Sequence, residues 1–182
     1  MKRAIIGTSV AVLILAGISV GMSAESHTSE SSKPTKSPEL KVLDRMVGSW
    51  RFEIVEKQAN SEESKSTPTG VGKWSLQGKY VEFKITGLDG KEVILHLFTY
   101  DSDSRVYNMW TFMPDSPKPN LTPWQWDESE KTLTGLMDLG DGITMQATTH
   151  FIGDDRWEYT ATTKDASGNV LREMKGKVFR KE

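Results

Sequence analysis

The feature that most constrains the fold is an alternation of apolar and polar residues that runs through most of the chain after Gly48. Trp50, Phe52 and Ile54 alternate with charged residues, and the same period of two returns in most later segments. A period of two places successive side chains on opposite faces of a strand, so that one face of each strand meets a core. The pattern predicts an all-β protein built from antiparallel strands.

Short turns rich in Gly, Asn and Asp separate the alternating segments, for example Gly140-Asp141-Gly142. These residues accept the positive φ of tight hairpin turns. About ten strands are predicted, at 49–57, 70–77, 79–87, 91–100, 104–113, 122–128, 131–138, 142–152, 155–164 and 169–180. Consecutive hairpins leave two exposed sheet edges unless the sheet closes on itself. We therefore expect an antiparallel up-and-down β-barrel that forms a single domain over residues 39–182.

One short helix is predicted before the strands. Apolar residues at positions 40, 43, 46 and 47 have the spacing of one helical face, and Pro38 and Gly48 suit its start and its end. A helix of about ten residues is marginal alone, so it is expected to pack against the barrel.

Residues 1–24 have the organisation of a secretory signal peptide. Two basic residues precede an apolar run over 10–18, and small residues follow it up to Ala24. An anchor needs about 20 apolar residues to cross a membrane, so we predict cleavage after Ala24, with an uncleaved anchor as the alternative. We expect an exported protein, periplasmic or secreted and of bacterial type, without stable membrane insertion once the signal is cleaved.

Residues 25–38 are rich in Ser, Thr, Lys, Glu and Pro, with almost no apolar side chain. Such a segment cannot bury enough surface to offset the entropy of ordering it. It is predicted to be a flexible tether, in which His27 is exposed to solvent.

Composition excludes several classes of function. The chain has no cysteine, which removes disulfides, a thiol nucleophile and Cys-ligated metal centres. Its formal net charge of −2 argues against nucleic acid as a partner, because phosphate binding needs a clustered basic surface.

The search for catalytic and metal-binding motifs gives negative results. The chain has no G-x-S-x-G elbow, no H-E-x-x-H motif and no phosphate-binding loop ending in Gly-Lys-Ser/Thr. Asp101 and Asp103 begin like a calcium loop, but Arg105, Val106 and Phe112 stand where an oxygen ligand, the glycine and the glutamate are required. Only His96 and His150 fall within residues 39–182, so a three-histidine zinc site is excluded unless the tether supplies His27. No cofactor or metal is expected, and catalysis by Asp, Glu or Tyr stays open.

The two barrel histidines have different predicted positions. His96 shares its face with Phe98 and Tyr100, where it fills a polar niche at the edge of the core. His150 lies on the polar face of its strand and is at most a weak candidate for an axial haem ligand.

The segment Gly48-Ser49-Trp50 after a short helix resembles the glycine-x-tryptophan start of lipocalin and calycin barrels. The resemblance implies that the tryptophan closes one barrel end and that a basic residue from near the C-terminus packs across it. Pairing of the last strand with the first independently places Arg180 near Trp50, where its guanidinium can stack on the indole. Arg172 is the alternative. Gly48, Trp50 and Arg180 are therefore predicted to close the barrel.

A closer resemblance covers about residues 39–182 and concerns a bacterial family known as domain of unknown function 1579. The resemblance lies in the order of Leu43, Gly48-Ser49-Trp50, Trp74, Gly78-Lys79-Tyr80-Val81, Thr99-Tyr100-Asp101, Tyr107, Trp126-Asp127, Leu133-Thr134-Gly135 and Asp155-Arg156-Trp157. It implies a lipocalin-like barrel. The family has no established activity, so no catalytic residue is carried over.

The aromatic residues point to a possible ligand site. The predicted strand 104–113 is apolar on both faces, which fits either a packed core with a covered outer face or a lumen too wide to fill. Two long connections, 58–69 and the Pro-rich 113–122, flank an opening in the second case, with Trp124-Gln125-Trp126 lining the mouth. The candidate ligand-binding residues are Trp74, Phe83, His96, Tyr107, Trp110, Trp126, Met145 and Trp157.

Three functions are compatible with these observations. The first is a binding protein that holds a small hydrophobic or amphipathic ligand in the barrel. The second is a structural or interaction domain with a filled core. The third is an enzyme or haem-binding barrel whose site the sequence does not reveal, and the missing motifs favour a protein that is not an enzyme.

Overall fold

The computed structural model describes residues 36–182, so the predicted signal peptide, most of the tether and His27 lie outside the described residues. A short helix α1 (Pro38–Val42) begins behind Ser37, whose hydroxyl oxygen accepts a hydrogen bond from the backbone N–H of Leu40 at 3.4 Å. The chain continues as a 3₁₀ turn over Leu43–Met46. The predicted helix is therefore present, and its second half is wound more tightly than its first.

Eleven β-strands follow in the described part of the chain. They are β1 (Gly48–Gln58), β2 (Ser64–Ser66), β3 (Thr69–Ser75), β4 (Tyr80–Thr86), β5 (Glu92–Asp101), β6 (Val106–Phe112), β7 (Asn120–Asp127), β8 (Thr132–Gly140), β9 (Ile143–Phe151), β10 (Arg156–Lys164) and β11 (Val170–Arg180).

Ten of these strands form a closed antiparallel barrel. The order runs from β1 through β3 and on to β11 in sequence, and β11 pairs back with β1 over Trp50–Gln58. Only β2 stands outside the closed ring. Closure leaves no long unpaired edge, which is the usual way in which an up-and-down meander protects its backbone. The predicted barrel with one short helix is confirmed.

The strand β2 lies in a region that the sequence analysis assigned to a loop. It pairs with Ile54–Glu56, the part of β1 that β3 does not reach. Pro68, which has no N–H to donate to a ladder, stands between β2 and β3. The side chains of β2 are all exposed and polar, so this strand shows no hydrophobic pattern in the sequence. It forms because the edge of β1 is free to pair with it.

The helical segment closes one end of the barrel, which we call the helix end. Trp50, at the start of β1, donates its indole N–H to the carbonyl oxygen of Met46 at 2.9 Å. Tyr107, at the start of β6, donates its hydroxyl to the carbonyl oxygen of Glu39 at 2.9 Å. Because β1 and β6 both start at the helix end, the connections 59–63 and 113–119 that follow them lie together at the opposite end, the far end.

Arg180 lies across Trp50 at the helix end, where antiparallel pairing of β1 and β11 places it. Its guanidinium carbon is 4.3 Å from the centroid of the Trp50 ring. Its Nη1 donates to the carbonyl of Val47 at 2.9 Å, and its Nε and Nη2 donate to the carbonyl of Asp154 at 3.0 and 2.6 Å. Gly48 has a φ of +126° and leaves the space that Nη1 occupies. Arg172, the alternative partner, lies at the far end.

Large aromatic side chains fill the half of the barrel nearest the helix. The ring of Trp157 lies 5.8 Å from both Trp50 and Phe52, 6.1 Å from Phe83 and 6.0 Å from Phe151. All five residues are less than a tenth exposed. Edge-on and tilted contacts of this kind add to the free energy gained by burying the rings.

We expect Trp50→Ala to lower the free energy of unfolding by about 3–5 kcal/mol, the usual loss for a buried large aromatic residue. Arg180→Ala should cost less, and because the two side chains are in contact their losses should not add in a double-mutant cycle measured by urea denaturation. Arg172→Ala, at the other end of β11, is the control and should combine additively with Trp50→Ala. Additive losses for Trp50 and Arg180 would contradict the capping contact.

Candidate functional site

The inward-facing side chains fall into two groups along the barrel. Most of those nearer the helix end are buried, apart from Trp74, Tyr100 and Trp126 at its edge, whereas several in the far half remain half-buried although they point inward. We call the space that the second group surrounds the upper lumen. Its half-buried apolar residues are Ile54, Ile85, Met145, Ala147, Ala161 and Met174.

Small residues on three adjacent strands line one side of the inner wall. Gly135 on β8 pairs with Ala147 on β9, and Ala147 pairs with Ala161 on β10. Met174 on β11 follows as the cross-strand neighbour of Ala161. Side chains on directly paired residues share one face of the sheet. This wall therefore combines three small residues with one flexible thioether; the ring of Trp124 lies against Gly135, and Ala147 and Ala161 are half-buried.

His96 and Thr111 bring polar atoms to the opposite wall. They are cross-strand partners on β5 and β6, and Nδ1 of the imidazole lies 3.0 Å from the threonine hydroxyl oxygen. Burial lowers the pKa of His96 from 6.5 to about 4, because a charged imidazolium loses hydration in the barrel. The imidazole is consequently neutral at pH 7.

A single ion pair stands at the far rim of the upper lumen. Nη2 of Arg172 lies 2.6 Å from Oε2 of Glu56, and both side chains are partly exposed. The hydrogen bond from Arg172 holds the pKa of Glu56 below its usual value. Below the rim, Tyr159 lies over Gly176 and donates its hydroxyl to the sulfur of Met174 at 3.3 Å. Burial raises the pKa of the Tyr159 phenol, so the lining carries no unpaired charge at neutral pH.

Two surface cavities lie outside the upper lumen. One of about 310 Å³ opens at the helix end and is lined by charged residues, among them Lys41, Arg45 and Arg180. The other, of about 210 Å³, is an apolar groove at the starts of the 113–119 connection and of β5, where Val93, Phe112 and Met113 are more than a third exposed.

The eight predicted ligand-binding residues lie in different parts of the barrel and do not form one site. His96 and Met145 line the upper lumen. Phe83 and Trp157 belong to the packed half. The other four lie elsewhere: Trp74, Tyr107 and Trp126 contact or adjoin the helical segment, and Trp110 stands on the outer face.

The reasons for these positions are specific contacts. Trp74 donates its indole N–H to Asp44 at 2.7 Å. Trp126 lies under Arg45 and donates to Glu128 at 2.8 Å, so it is at the helix end and does not line the mouth. Trp110 pairs with outward-facing Leu97 and therefore does not reach the lumen.

The other barrel histidine, His150, lies away from the lumen. His150 is exposed on the outer face of β9, opposite Glu158, so it does not point at a ligand in the lumen. Within residues 36–182 no three or more His, Asp or Glu side chains are grouped so that they could hold a metal ion. The same part of the chain contains no helix that is long and apolar enough to span a membrane.

Sequence reasoning missed the residues that shape the upper lumen. Gly135, Ala147 and Ala161 carry no functional signal individually. A signal appears only when the strands are paired in register, because the three small residues then become neighbours on one inner wall. Met174 was missed for the same reason, because only the pairing of β10 with β11 places it beside Ala161.

Comparisons with known proteins support the barrel. No family model matches this sequence, and no curated protein matches it. Its resemblance to domain of unknown function 1579 therefore stays a prediction. Solved structures do match.

Three of these structures have TM-scores just above 0.5. An S-type phycobiliprotein lyase from Guillardia theta has a TM-score of 0.56 at 12% identity, over 82% of this chain and 96% of that protein. The M. tuberculosis protein Rv2717c has a TM-score of 0.56 at 10% identity, over 81% of this chain and 100% of that one. A DUF3598 family protein of unknown function from Nostoc punctiforme has a TM-score of 0.57 at 8% identity over 76% of this chain. This chain spans about half of that last protein, 48% of its length. Identities this low show a shared fold alone.

The depressed pKa of His96 predicts a loss of stability in acid. The unfolded chain takes up this proton near pH 6.5, whereas the folded protein takes it up near pH 4. The contribution of neutral His96 to the free energy of unfolding is therefore fully present above pH 6.5. It is lost as the pH falls through 4, and the total loss is about 3 kcal/mol. Urea denaturation of the wild type and of His96→Gln, at pH 7 and pH 4.5, measures this contribution. An equal loss in both proteins would contradict it.

Proposed function

We propose that this protein binds a small hydrophobic or amphipathic molecule in the upper lumen. The observation that carries the proposal is that inward-facing apolar residues around Ala147 and Ala161 remain half-buried, while the other half of the barrel is packed with aromatic rings. Barrels of eight or more strands can enclose one small ligand. Apolar walls with a few polar groups are typical of such sites.

The chemistry of the lining favours apolar ligands of irregular shape. Met145 and Met174 have unbranched, flexible side chains that adapt to a ligand surface. Burial of about 300 Å² of apolar ligand surface contributes about 7 kcal/mol before the entropic costs of association. Micromolar affinity is the corresponding expectation.

A substitution that fills the upper lumen should abolish binding. Ala147→Leu places a bulky side chain on the inner wall, and the affinity for the neutral dye N-phenyl-1-naphthylamine should fall at least tenfold. Gln146→Leu adds the same side chain to the outer face of the same strand and is the matched control, for which affinity should stay within twofold. Dye fluorescence measures both. Equal affinities for the two variants, or no binding to the wild type, would contradict the proposal.

An interaction domain is the second candidate function. The observation that favours it is the apolar groove at Val93, Phe112 and Met113, because exposed apolar surface of this kind often marks a contact with another protein. A lumen filled by its own side chains would make this function the leading one.

We further propose export to the periplasm or the extracellular space with cleavage after Ala24, supported by the charged, apolar and small residues of the N-terminal segment. Full-length chain expressed in a bacterium should yield a soluble form whose first residue is Glu25, as read by N-terminal sequencing. Leu13→Arg, which breaks the apolar run, should leave the protein uncleaved. Full-length wild-type protein in the membrane fraction would contradict cleavage.

A further inference from the structure

Two buried polar groups on β7 have no hydrogen-bond partner among the described residues. They are Nε1 of Trp124 and Oγ1 of Thr122. Trp124 is 7% exposed and Thr122 is 2% exposed. The residues are two positions apart on one strand, so both side chains point into the barrel. Buried polar groups are nearly always paired in folded proteins, and an unpaired one calls for an explanation.

The two groups flank one point on the inner wall, above Gly135. A Cβ atom built on Gly135 would lie 2.7 Å from Cε2 of the Trp124 indole, the ring carbon bonded to Nε1, and 3.1 Å from Cγ2 of Thr122. Gly135 is also the cross-strand neighbour of Ala147. The side chains that carry the indole N–H and the hydroxyl therefore lie beside the wall of small residues.

Two methionines lie beside these groups on the inner wall. Met109 pairs with Thr122, and Met137 follows Gly135 on the same face of β8. Both are buried, at 6% and 7% exposure. A methionine side chain has three rotatable bonds and can change rotamer without a shift of the backbone. A ligand in the upper lumen can therefore reach the two polar groups by displacing thioether side chains, with the strands in place.

The charge of the lining restricts what can bind there. His96 is neutral at pH 7, and the charge of Arg172 at the rim is balanced by Glu56, although the buried Nε of Arg172 has no hydrogen-bond partner among the described residues. A carboxylate carried into this space would meet no unpaired cation, and burying an unpaired charge is far more costly than burying a hydrogen-bonded neutral group.

We infer, on the basis of the proposed function, that the ligand is an uncharged apolar molecule whose carbonyl or similar acceptor oxygen binds the Trp124 N–H and the Thr122 hydroxyl. The oxygen supplies the hydrogen bonds that these groups lack, and the hydrocarbon part occupies the space in front of Ala147 and Ala161. The indole N–H of Trp157 is also unpartnered. It is enclosed by the rings of Trp50, Phe52 and Phe83, and the ligand does not reach it.

The test uses three naphthalene dyes that share one ring system. One is a ketone, 6-propionyl-2-(dimethylamino)naphthalene, the second replaces the propionyl group by propyl, and the third carries a carboxylate at that position. The variants are Trp124→Phe, which removes the N–H and keeps a ring, and Thr122→Val, which removes the hydroxyl. Trp110→Phe, on the outer face, is the control. Circular dichroism verifies that each variant is folded.

The ketone should bind about threefold to tenfold more weakly to each β7 variant, because one neutral hydrogen bond is lost. Its emission should shift to shorter wavelength in the same variants, since hydrogen bonding to the carbonyl shifts it to longer wavelength. The propyl dye should bind the wild type and both variants within twofold of one another, and Trp110→Phe should change nothing. The carboxylate should bind the wild type at least tenfold more weakly than the ketone. If Trp124→Phe does not fold, Thr122→Val decides the comparison.

Two results would overturn the inference. If the variants weaken the ketone and propyl dyes equally, or if the carboxylate binds most tightly, then a ligand binds but its recognition differs from that inferred here, and the proposed function stands. If none of the dyes binds the wild type, both the inference and the proposed function are wrong.

Discussion

The barrel is filled from the helix end by aromatic rings that lie over glycines, and the rest of the structure depends on this packing. A closed sheet of ten strands encloses more space than ordinary side chains fill. Gly70 gives room to Phe52 and Phe83, at 2.8 and 2.7 Å from a Cβ built there, and Gly135 gives room to Trp124. Each glycine lets a ring from a neighbouring strand lie against the wall. The helical segment and Arg180 then cover the packed end.

The far half of the barrel has a different lining from the aromatic half nearest the helix. There alanines and methionines replace most of the large rings on the inner wall, with Tyr159 over Gly176 as the exception, so the lining is more adaptable. Charges are balanced or absent in this region: burial lowers the pKa of His96 to about 4, so its imidazole is neutral at pH 7, and Glu56 and Arg172 neutralise each other at the rim. An adaptable, neutral and apolar half above a rigid base is an arrangement suited to binding a ligand.

The sequence predicted the barrel well because alternation and turn chemistry are local signals. Ten of the eleven strands were anticipated, and the pairing of β1 with β11 followed from closing the meander. The strand β2 was missed because its exposed polar residues carry no pattern. The site was predicted less well: aromatic residues such as Trp110 and Trp126 look alike in a sequence whether they line a lumen, cap an end or face outward. Cross-strand register decides between these positions, and local sequence does not encode it.

The most direct test of the account is methyl NMR of protein with ¹³C-labelled methionine, titrated with N-phenyl-1-naphthylamine. Met137, Met145 and Met174 face the upper lumen and Met109 lies beside it, whereas Met46 lies at the helix end and Met113 at the outer groove. The account predicts that the methyl signals of the first three shift on addition of the dye while those of Met46 and Met113 do not. Shifts confined to Met113, or no shift at all, would contradict binding in the upper lumen.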